Sequence, residues 1–392
     1  MHTHYDCLII GGGLSGAMAG YHLATHGYDV ALLEKSIGPH HKVCGEFLSP
    51  EAIPYLEEIN VSLDRTQFPS IHTFVIHSSR LTFEGELDRP GLGISRFKLD
   101  EILLNHAKAA GVKVFRGVFA MKLQRRTHNN IEITTNKATF FTKTLFIATG
   151  KHDLDKKQIR KGKDCNFIGL KMHLKLNNES MLKLRERIRL YIFNEGYAGI
   201  LPIEGSLANL CFIIKKQMFR SKDHDIKNIL EYICHKNKEL KKILRNAVQL
   251  SETYAIAPIP YGYMQKTPHA LAPNIYTIGD QYAVTPSLTG DGMAIALATG
   301  RAAFWDYHMK QSCHTSRMQK SIFYSLKKQM RWSFRLHRVF KNNYWLDAFL
   351  LILKVFPRSF KYLFRKTRAP ELSAMMEKIS SKPIKTKRQQ YV

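Results

Sequence analysis

The sequence predicts a mixed α/β fold, α+β overall, with a discontinuous doubly wound domain, a mostly antiparallel sheet domain inserted into it, and a C-terminal helical region. Three observations predict it. Residues 6–34 read as strand, glycine turn, helix and second strand. Residues 167–260 alternate apolar and polar side chains over longer strands. Residues 275–280 then return to a buried-strand pattern ending in Gly279-Asp280. The chain has 392 residues, 44% of them hydrophobic, enough for about two or three domains with a substantial core.

The first strand spans residues 6–10, the helix 14–26, and the second strand 29–34 after a turn at Gly27, a βαβ start that feeds a parallel sheet. A helix begins near Pro50, and alternation at 71–76 and 81–84 suits a strand pair inserted in the same domain near 68–90. Ser95 caps a helix running to Ala110. Short strands follow at 112–115, 120–124, 131–135, 138–141 and 145–148. The second domain, 166–261, carries strands at 169–176, 189–193 and 208–214 and one amphipathic helix near 226–244. The first domain therefore comprises 1–165 and 262–312, the latter with a glycine-bounded helix near Gly290. A basic, aromatic helical region, 313–380, precedes a polar tail at 381–392 whose composition predicts disorder.

Gly11-Gly12-Gly13-Leu14-Ser15-Gly16 fits the spacing G-x-G-x-x-G between a strand and a helix. Gly11 permits the tight turn, Gly13 lets backbone approach a pyrophosphate, and Gly16 lets helix pack on strand. The helix start at Leu14 and Ser15 offers free N–H groups and the positive end of the helix dipole to phosphate. Glu34, followed by Lys35, closes the second strand, where a carboxylate accepts both ribose hydroxyls and repels a 2′-phosphate. FAD or NAD is favoured over NADP. A second motif, Gly279-Asp280, Pro286 and Thr289-Gly290-Asp291-Gly292, leads into a helix. A strand-end aspartate suits the ribityl hydroxyls of a flavin, and a helix N-terminus suits the flavin edge that becomes anionic on reduction. A simple NAD enzyme has no need of it, so FAD is the cofactor expected.

These two motifs, in this order, resemble the p-hydroxybenzoate-hydroxylase-like flavoproteins, and especially their geranylgeranyl-reductase-like branch. Lys42-Val43-Cys44-Gly45-Glu46-Phe47-Leu48-Ser49-Pro50, Gly196-Tyr197 through Leu201-Pro202 with Asn209, and Ile147-Ala148-Thr149-Gly150-Lys151-His152 support the branch. The resemblance implies a Rossmann-like FAD-binding domain. Gly11, Gly13, Leu14, Ser15, Gly16, Glu34 and Lys35 would hold the ADP half, and Arg96 and Gly150 would lie near the cofactor. Asp280 would bind ribityl, with Pro286, Gly290 and Gly292 facing the flavin. Cys44 lies in a segment placed beside the flavin and is the catalytic candidate, with Glu46 as an acid; the plainer readings are a small apolar side chain and a solvated carboxylate.

The activity implied is FAD-dependent oxidoreduction of an apolar small molecule, a double-bond reduction with NADPH or NADH as external reductant. A flavin monooxygenase hydroxylating an aromatic, quinone-like or polyketide substrate is the alternative, and a membrane-surface flavin- or lipid-binding protein with little turnover is a reading of another class. Two departures bear on this. Thr149-Gly150-Lys151-His152 replaces the Asp-Gly dipeptide of the hydroxylases, and Ala198-Gly199-Ile200-Leu201-Pro202 replaces an aromatic-rich segment of the reductases.

The formal charge of +27, from 59 Lys and Arg against 32 Asp and Glu, favours anionic partners. It is regional: residues 315–392 hold 19 Lys and Arg and 3 Asp and Glu. Between 331 and 368 these cations interleave with aromatics, which suits either an anionic membrane surface or a helical cap with one solvated face. No nucleic-acid reader motif accompanies them, so nucleic acid is not expected as a partner. The six cysteines form no Cys-x-x-Cys pair and the histidines no metal spacing, so no metal is expected. His40 and His41 read as solvated loop residues. The scattered thiols, the start without a basic leader and the lack of a spanning apolar run suggest a cytoplasmic protein, peripheral on the inner membrane face where 331–368 docks.

Overall fold

A computed structural model describes residues 3–127, 130–154, 160–265, 274–312 and 317–369. In chain order its strands are β1 (His4–Ile10), β2 (Val30–Glu34), β3 (Phe47–Leu48), β4 (Ser70–His77), β5 (Thr82–Gly93), β6 (Lys113–Arg116), β7 (Ala120–Thr127), β8 (Asn130–Thr135), β9 (Thr139–Ile147), β10 (Phe167–Lys175), β11 (Arg187–Phe193), β12 (Gly196–Ile203), β13 (Leu207–Lys215), β14 (Val248–Gln249), β15 (Tyr254–Ile256) and β16 (Ile275–Thr277). The helices are α1 (Leu14–Thr25), α2 (Ile53–Glu58), α3 (Arg96–Ala109), α4 (Asn178–Leu184), α5 (Lys216–Ser221), α6 (Ile226–Lys236), α7 (Lys238–Ile243), α8 (Gly292–Ser312), α9 (Arg317–Val339), α10 (Asn343–Val355) and α11 (Pro357–Thr367).

Two sheets organise the chain. The first runs β6-β2-β1-β9-β8-β7, with β16 beside β9. Its β6, β2, β1, β9 and β16 pair in parallel, while β7, β8 and β9 form an antiparallel meander. The apolar run Cys7-Leu8-Ile9-Ile10 that ends β1 follows from burial on both faces. Cys7 and Ile9 join the core under α1, α3 and α8, while Leu8 and Ile10 face Leu33, Phe140 and Ile147. Ser95 caps α3 as the sequence predicts, its side chain accepting from Lys98 N.

The second sheet runs β14-β10-β13-β12-β11-β4-β5-β3, with β15 on β10. One face of β10, Leu170, Met172 and Leu174, packs with Ile229, Ile233, Leu240 and Ile243 of α6 and α7. The opposite face, with Gly169, Lys171 and His173, turns toward the first domain. C-terminal helices cover part of the same assembly: Ile322 and Leu326 join the core of the first domain, and Phe340, Leu346, Leu350, Leu353 and Phe360 pack with Phe74, Phe83, Ile188 and Leu190.

Three expectations change, and one strand is added. The strand pair near 68–90 belongs to the second sheet, because β4 pairs in parallel with β11 and buries Phe74 and Ile76 in the core that holds Ile188 and Leu190. Residues 138–148 hold one strand, β9, instead of two, for no glycine or proline interrupts it. The helix near 226–244 is two, broken at extended Asn237, whose side chain caps α7 by accepting from Glu239 N and Leu240 N. The segment 196–203 is the strand β12 and sits inside the sheet. The tail at 381–392 lies outside the described residues. No described helix is long and apolar enough to cross a membrane.

Candidate functional site

The end of β1 folds into a turn that side chains would destroy. Gly11 has φ +111°, and a Cβ there would stand 2.4 Å from Ala148 O. A Cβ on Gly16 would stand 2.0 Å from Gly11 O, so α1 can seat against the strand end only without one. Gly13 differs, since its backbone (φ −78°, ψ −173°) suits any residue. The space over it is bordered by cations instead, Lys42 Nζ at 3.4 Å and Arg96 Nη2 at 3.8 Å from where a Cβ would lie.

Asp100 holds both cations. It accepts from Lys42 Nζ at 2.7 Å, and from Arg96 Nε at 2.7 Å and Nη2 at 2.9 Å. Burial would raise the Asp100 carboxyl, but Arg96 and Lys42 outweigh it and hold it well below the usual carboxylate range. The reverse effect raises Arg96, burial notwithstanding. An open turn beside a helix N-terminus and two fixed cations suits a pyrophosphate. Next to it, the buried Glu34 accepts from Gly12 N at 2.8 Å and Ser36 N at 2.9 Å. Burial opposes its charge, yet Ser36 N–H, Lys42 and Gly12 N–H keep it ionised further down in pH than a free glutamate.

Across the cavity, Asp280 lies 3.3 Å from Lys151 Nζ. Gln281 Nε2 donates to Thr149 Oγ1 at 2.8 Å, Gly150 O at 3.0 Å and His152 O at 2.8 Å, tying the end of β9 to the turn after β16. Gly290, with φ +71°, approaches Phe47 and precedes α8, whose first residue Gly292 has open space around it. Between them Asp291 is wholly buried. It accepts from Ser49 Oγ at 3.0 Å, from Gln329 Nε2 at 3.1 Å and from Ala369 N, with Arg368 Nη1 at 3.5 Å. Burial pushes its carboxyl up to about 7 against the pull of Arg368. The residues around the start of α8 are thus clasped by the C-terminal helices.

One cavity of about 510 Å³ joins the glycine turn to a chamber against the second sheet. Val43, Phe74, Ile188, Leu190, Leu201, Ile213 and Ile259 make the chamber mostly apolar, and Cys44, Tyr197 and Cys211 also line it. Burial pushes the Cys211 thiol up to about 12, which makes it a poor nucleophile. At its wall, Glu46 is fully buried and ion-paired with fully buried Lys171, while His173 Nε2 lies 2.7 Å from its second oxygen. Glu46 also accepts from Arg96 N at 2.7 Å. Its φ of +59° costs a non-glycine residue roughly 1–2 kcal/mol, offset by this set of partners. Burial raises the Glu46 carboxyl, but His173 and Lys171 bring it below its ordinary value.

Of the residues the sequence singles out, Gly11, Gly13, Leu14, Ser15, Glu34, Lys35, Cys44, Glu46, Arg96, Gly150, Asp280, Gly290 and Gly292 all line this cavity. Gly16 and Pro286 stand behind the wall, Gly16 under the turn and Pro286 at the start of a short 3-10 turn where its carbonyl accepts from Thr289 Oγ1. Two plain readings fail. Glu46 is not solvated, and His41 is packed between Phe97, His173 and Tyr254 at ring distances of 4.9–5.0 Å, because the loop before β3 folds over the chamber. Cys44 does line the cavity, partly buried, its Sγ accepting from Glu46 N at 3.4 Å. Lys42 appears in the sequence reading only inside a longer segment. Asp100 was signalled by its i,i+4 spacing from Arg96. Lys171 and His173 had no signal beyond strand alternation. Among the described residues, no cluster of His, Cys, Asp and Glu could hold a metal ion.

Residues 6–60 match the family model described as FAD dependent oxidoreductase. Over 343 residues the chain is 23% identical to a 1H-pyrrole-2-carbonyl-(peptidyl-carrier protein) chlorinase of Pseudomonas fluorescens, covering 77% of this chain and 75% of that protein. It is 22% identical over 316 residues to a menaquinone reductase of Mycobacterium tuberculosis, covering 76% of this chain and 75% of that one. Among solved structures, the flavin-dependent brominase Bmp2 superposes with a TM-score of 0.78 at 17% identity, covering 93% of each chain. These relatives are by name halogenases and a menaquinone reductase, and they support the broader class of FAD-dependent oxidoreductases and not specifically the geranylgeranyl-reductase-like branch expected from the sequence. With the glycine turn, the buried Glu34 and the two-sheet architecture all in place, the chain has the fold of the FAD-dependent oxidoreductases, an enzyme fold that it shares with a flavin-dependent brominase.

Proposed function

We propose that the chain binds FAD along the cavity and uses it to activate dioxygen for halogenation or hydroxylation of an apolar, electron-rich aromatic substrate held against the second sheet. The continuity of the cavity carries this reading, since a polar cradle at one end opens directly into an apolar chamber at the other. Its size falls within the range of small-molecule sites, roughly 300–1,000 Å³. The residues fit the cofactor: Gly13, Lys42 and Arg96 would take the pyrophosphate, Glu34 the ribose, Asp280 the ribityl chain, and the start of α8 the flavin edge. FAD, when bound, supplies the two-electron chemistry.

The protein's own part is binding, exclusion of water and placement of charge. Apolar walls from β4, β11, β12 and β13 desolvate and orient the substrate. Lys171, fully buried behind Glu46, fixes that carboxylate at the chamber wall. His173 Nε2, 2.7 Å from Glu46 Oε2, completes the set of partners that holds Glu46 there. Cys44 lies beside them as part of the wall. The relatives support the oxygen-activating class, because the chlorinase and the brominase are by description halogenases.

The test is oxygen uptake by the FAD-loaded protein, chemically reduced, with a phenol or pyrrole probe in the presence and absence of bromide. Probe-dependent uptake with a product carrying one oxygen or one bromine in place of hydrogen is expected. Anaerobic re-oxidation of the flavin by a quinone or alkene, with no modified phenol or pyrrole, would instead favour double-bond reduction. The likeness to a menaquinone reductase keeps that second reading in view.

A further inference from the structure

Helix α10 is apolar on two opposite faces, and only one of them is covered. Leu346, Leu350 and Leu353 point into the core beside β4 and β11. On the opposite side Tyr344, Trp345, Leu351, Ile352 and Val355 are each more than half exposed, and Phe356 at the junction with α11 continues the stripe. At 100° per residue these positions form one outward arc. Single exposed apolar residues are ordinary, whereas a contiguous set on one helix needs a partner.

The surroundings of the stripe give that partner's charge. From Arg317 to Ala369 there are 14 Lys and Arg residues and one acidic residue, Asp347. Lys354 and Arg358 are exposed at the edge of the stripe, with exposed Arg335 and Arg338 on α9. Against a second copy of the chain, a two-fold contact through this patch would press like charges together. Aromatic and aliphatic side chains rimmed by cations match instead the headgroup boundary of an anionic bilayer.

We propose that the outward face of α10 and the start of α11 seat the protein on an anionic lipid bilayer surface, with Trp345, Ile352 and Phe356 in the headgroup–acyl boundary and Lys354 and Arg358 on lipid phosphates. The inward face of the same helix shares a core with Phe74, Ile188, Leu190 and Leu201, which line the chamber. The docked helix and the chamber are therefore joined by one hydrophobic core, on the side from which an apolar substrate dissolved in lipid would approach. The docking itself does not depend on which reaction the flavin performs.

Full-length protein should sediment with vesicles containing phosphatidylglycerol about 10-fold more strongly than with pure phosphatidylcholine vesicles. Trp345→Ser/Ile352→Ser/Phe356→Ser and Lys354→Glu/Arg358→Glu should each weaken that binding about 10-fold while leaving flavin content and circular dichroism unchanged. Brominated lipid should quench the tryptophan emission of the wild type, and Trp345→Phe should remove that quenching. Unchanged sedimentation of both variants, or quenching that survives Trp345→Phe, would overturn the proposal. So would a concentration-dependent dimer lost in the triple variant, or capture of a purified acidic carrier protein by a chain that ignores vesicles.

Discussion

The glycine turn after β1 and the chamber wall beside β10 border one cavity, yet they are built in opposite ways. The turn draws on six consecutive residues, and its shape is a property of backbone, with a Cβ at Gly11 or Gly16 colliding with carbonyl oxygens. The chamber's charged group joins Glu46 to Lys171 and His173, 125 and 127 residues away, and its shape is a property of side chains carried by two sheets. A backbone site tolerates almost no substitution but can be read locally. A side-chain site depends on partners that only the folded sheet brings together, and it can be altered piecewise.

The largest effect expected from this contrast is at the turn. Gly16→Val should leave little soluble protein or lower stability by 4 kcal/mol or more, in the range of about 4–5 kcal/mol reserved for severe core disruptions; a normal thermal melt would show that α1 does not need its close seat on Gly11. Next is the chamber wall. Lys171→Met leaves the Glu46 carboxylate buried without its ammonium and should cost about 3–5 kcal/mol, while Lys171→Met/Glu46→Gln should recover part of that loss. Denaturant unfolding of the three variants checks it, and additive losses would mean that the two residues do not act as a pair.

Asp100→Asn should be milder, since it frees Lys42 and Arg96 without removing them. FAD should bind roughly 10-fold more weakly in a fluorescence titration, with turnover of bound enzyme little changed. The smallest and broadest effect is on pH. Burial holds His22 at about 3, and His77 and His337 at about 4, each below the ordinary histidine value of 6.5. The unfolded chain therefore binds more protons than the folded one below pH 6.5. Stability contributed by these neutral rings is present above that value and lost as pH falls toward 4, by at most about 1.4 kcal/mol per pH unit per ring. Thermal melts between pH 7 and pH 4.5 should fall progressively, and a flat profile would place these rings in contact with solvent.

The same contrast explains what the sequence revealed. Gly11, Gly13, Glu34 and the Gly290 motif were legible because each sits at a fixed spacing from a strand end, and Arg96 because Ser95 marks a helix start. Lys171 and His173 were not. In Gly169-Leu170-Lys171-Met172-His173-Leu174 they alternate with apolar residues and look like the solvent face of a half-buried strand, whereas both are buried against Glu46. Alternation likewise revealed β4 and β5 as strands but not the sheet they join, which depends on the long-range pairing with β11. The C-terminal cap was visible as amphipathic pattern, but the clasp of Gln329, Arg368 and Ala369 on Asp291 was not, since nothing local links residues 38 or more positions apart.

FAD binding to Gly13→Val tests the central claim most directly. Gly13 has backbone angles open to any residue, and its missing side chain faces only Lys42 and Arg96, so the variant should fold as the wild type does. If the space above Gly13 holds the cofactor's pyrophosphate, the valine fills it, and titration with FAD should show affinity reduced by about 100-fold or more with an unchanged thermal melt of the unliganded protein. FAD binding as tight as in the wild type would contradict the account, because the cofactor would then lie elsewhere in the molecule.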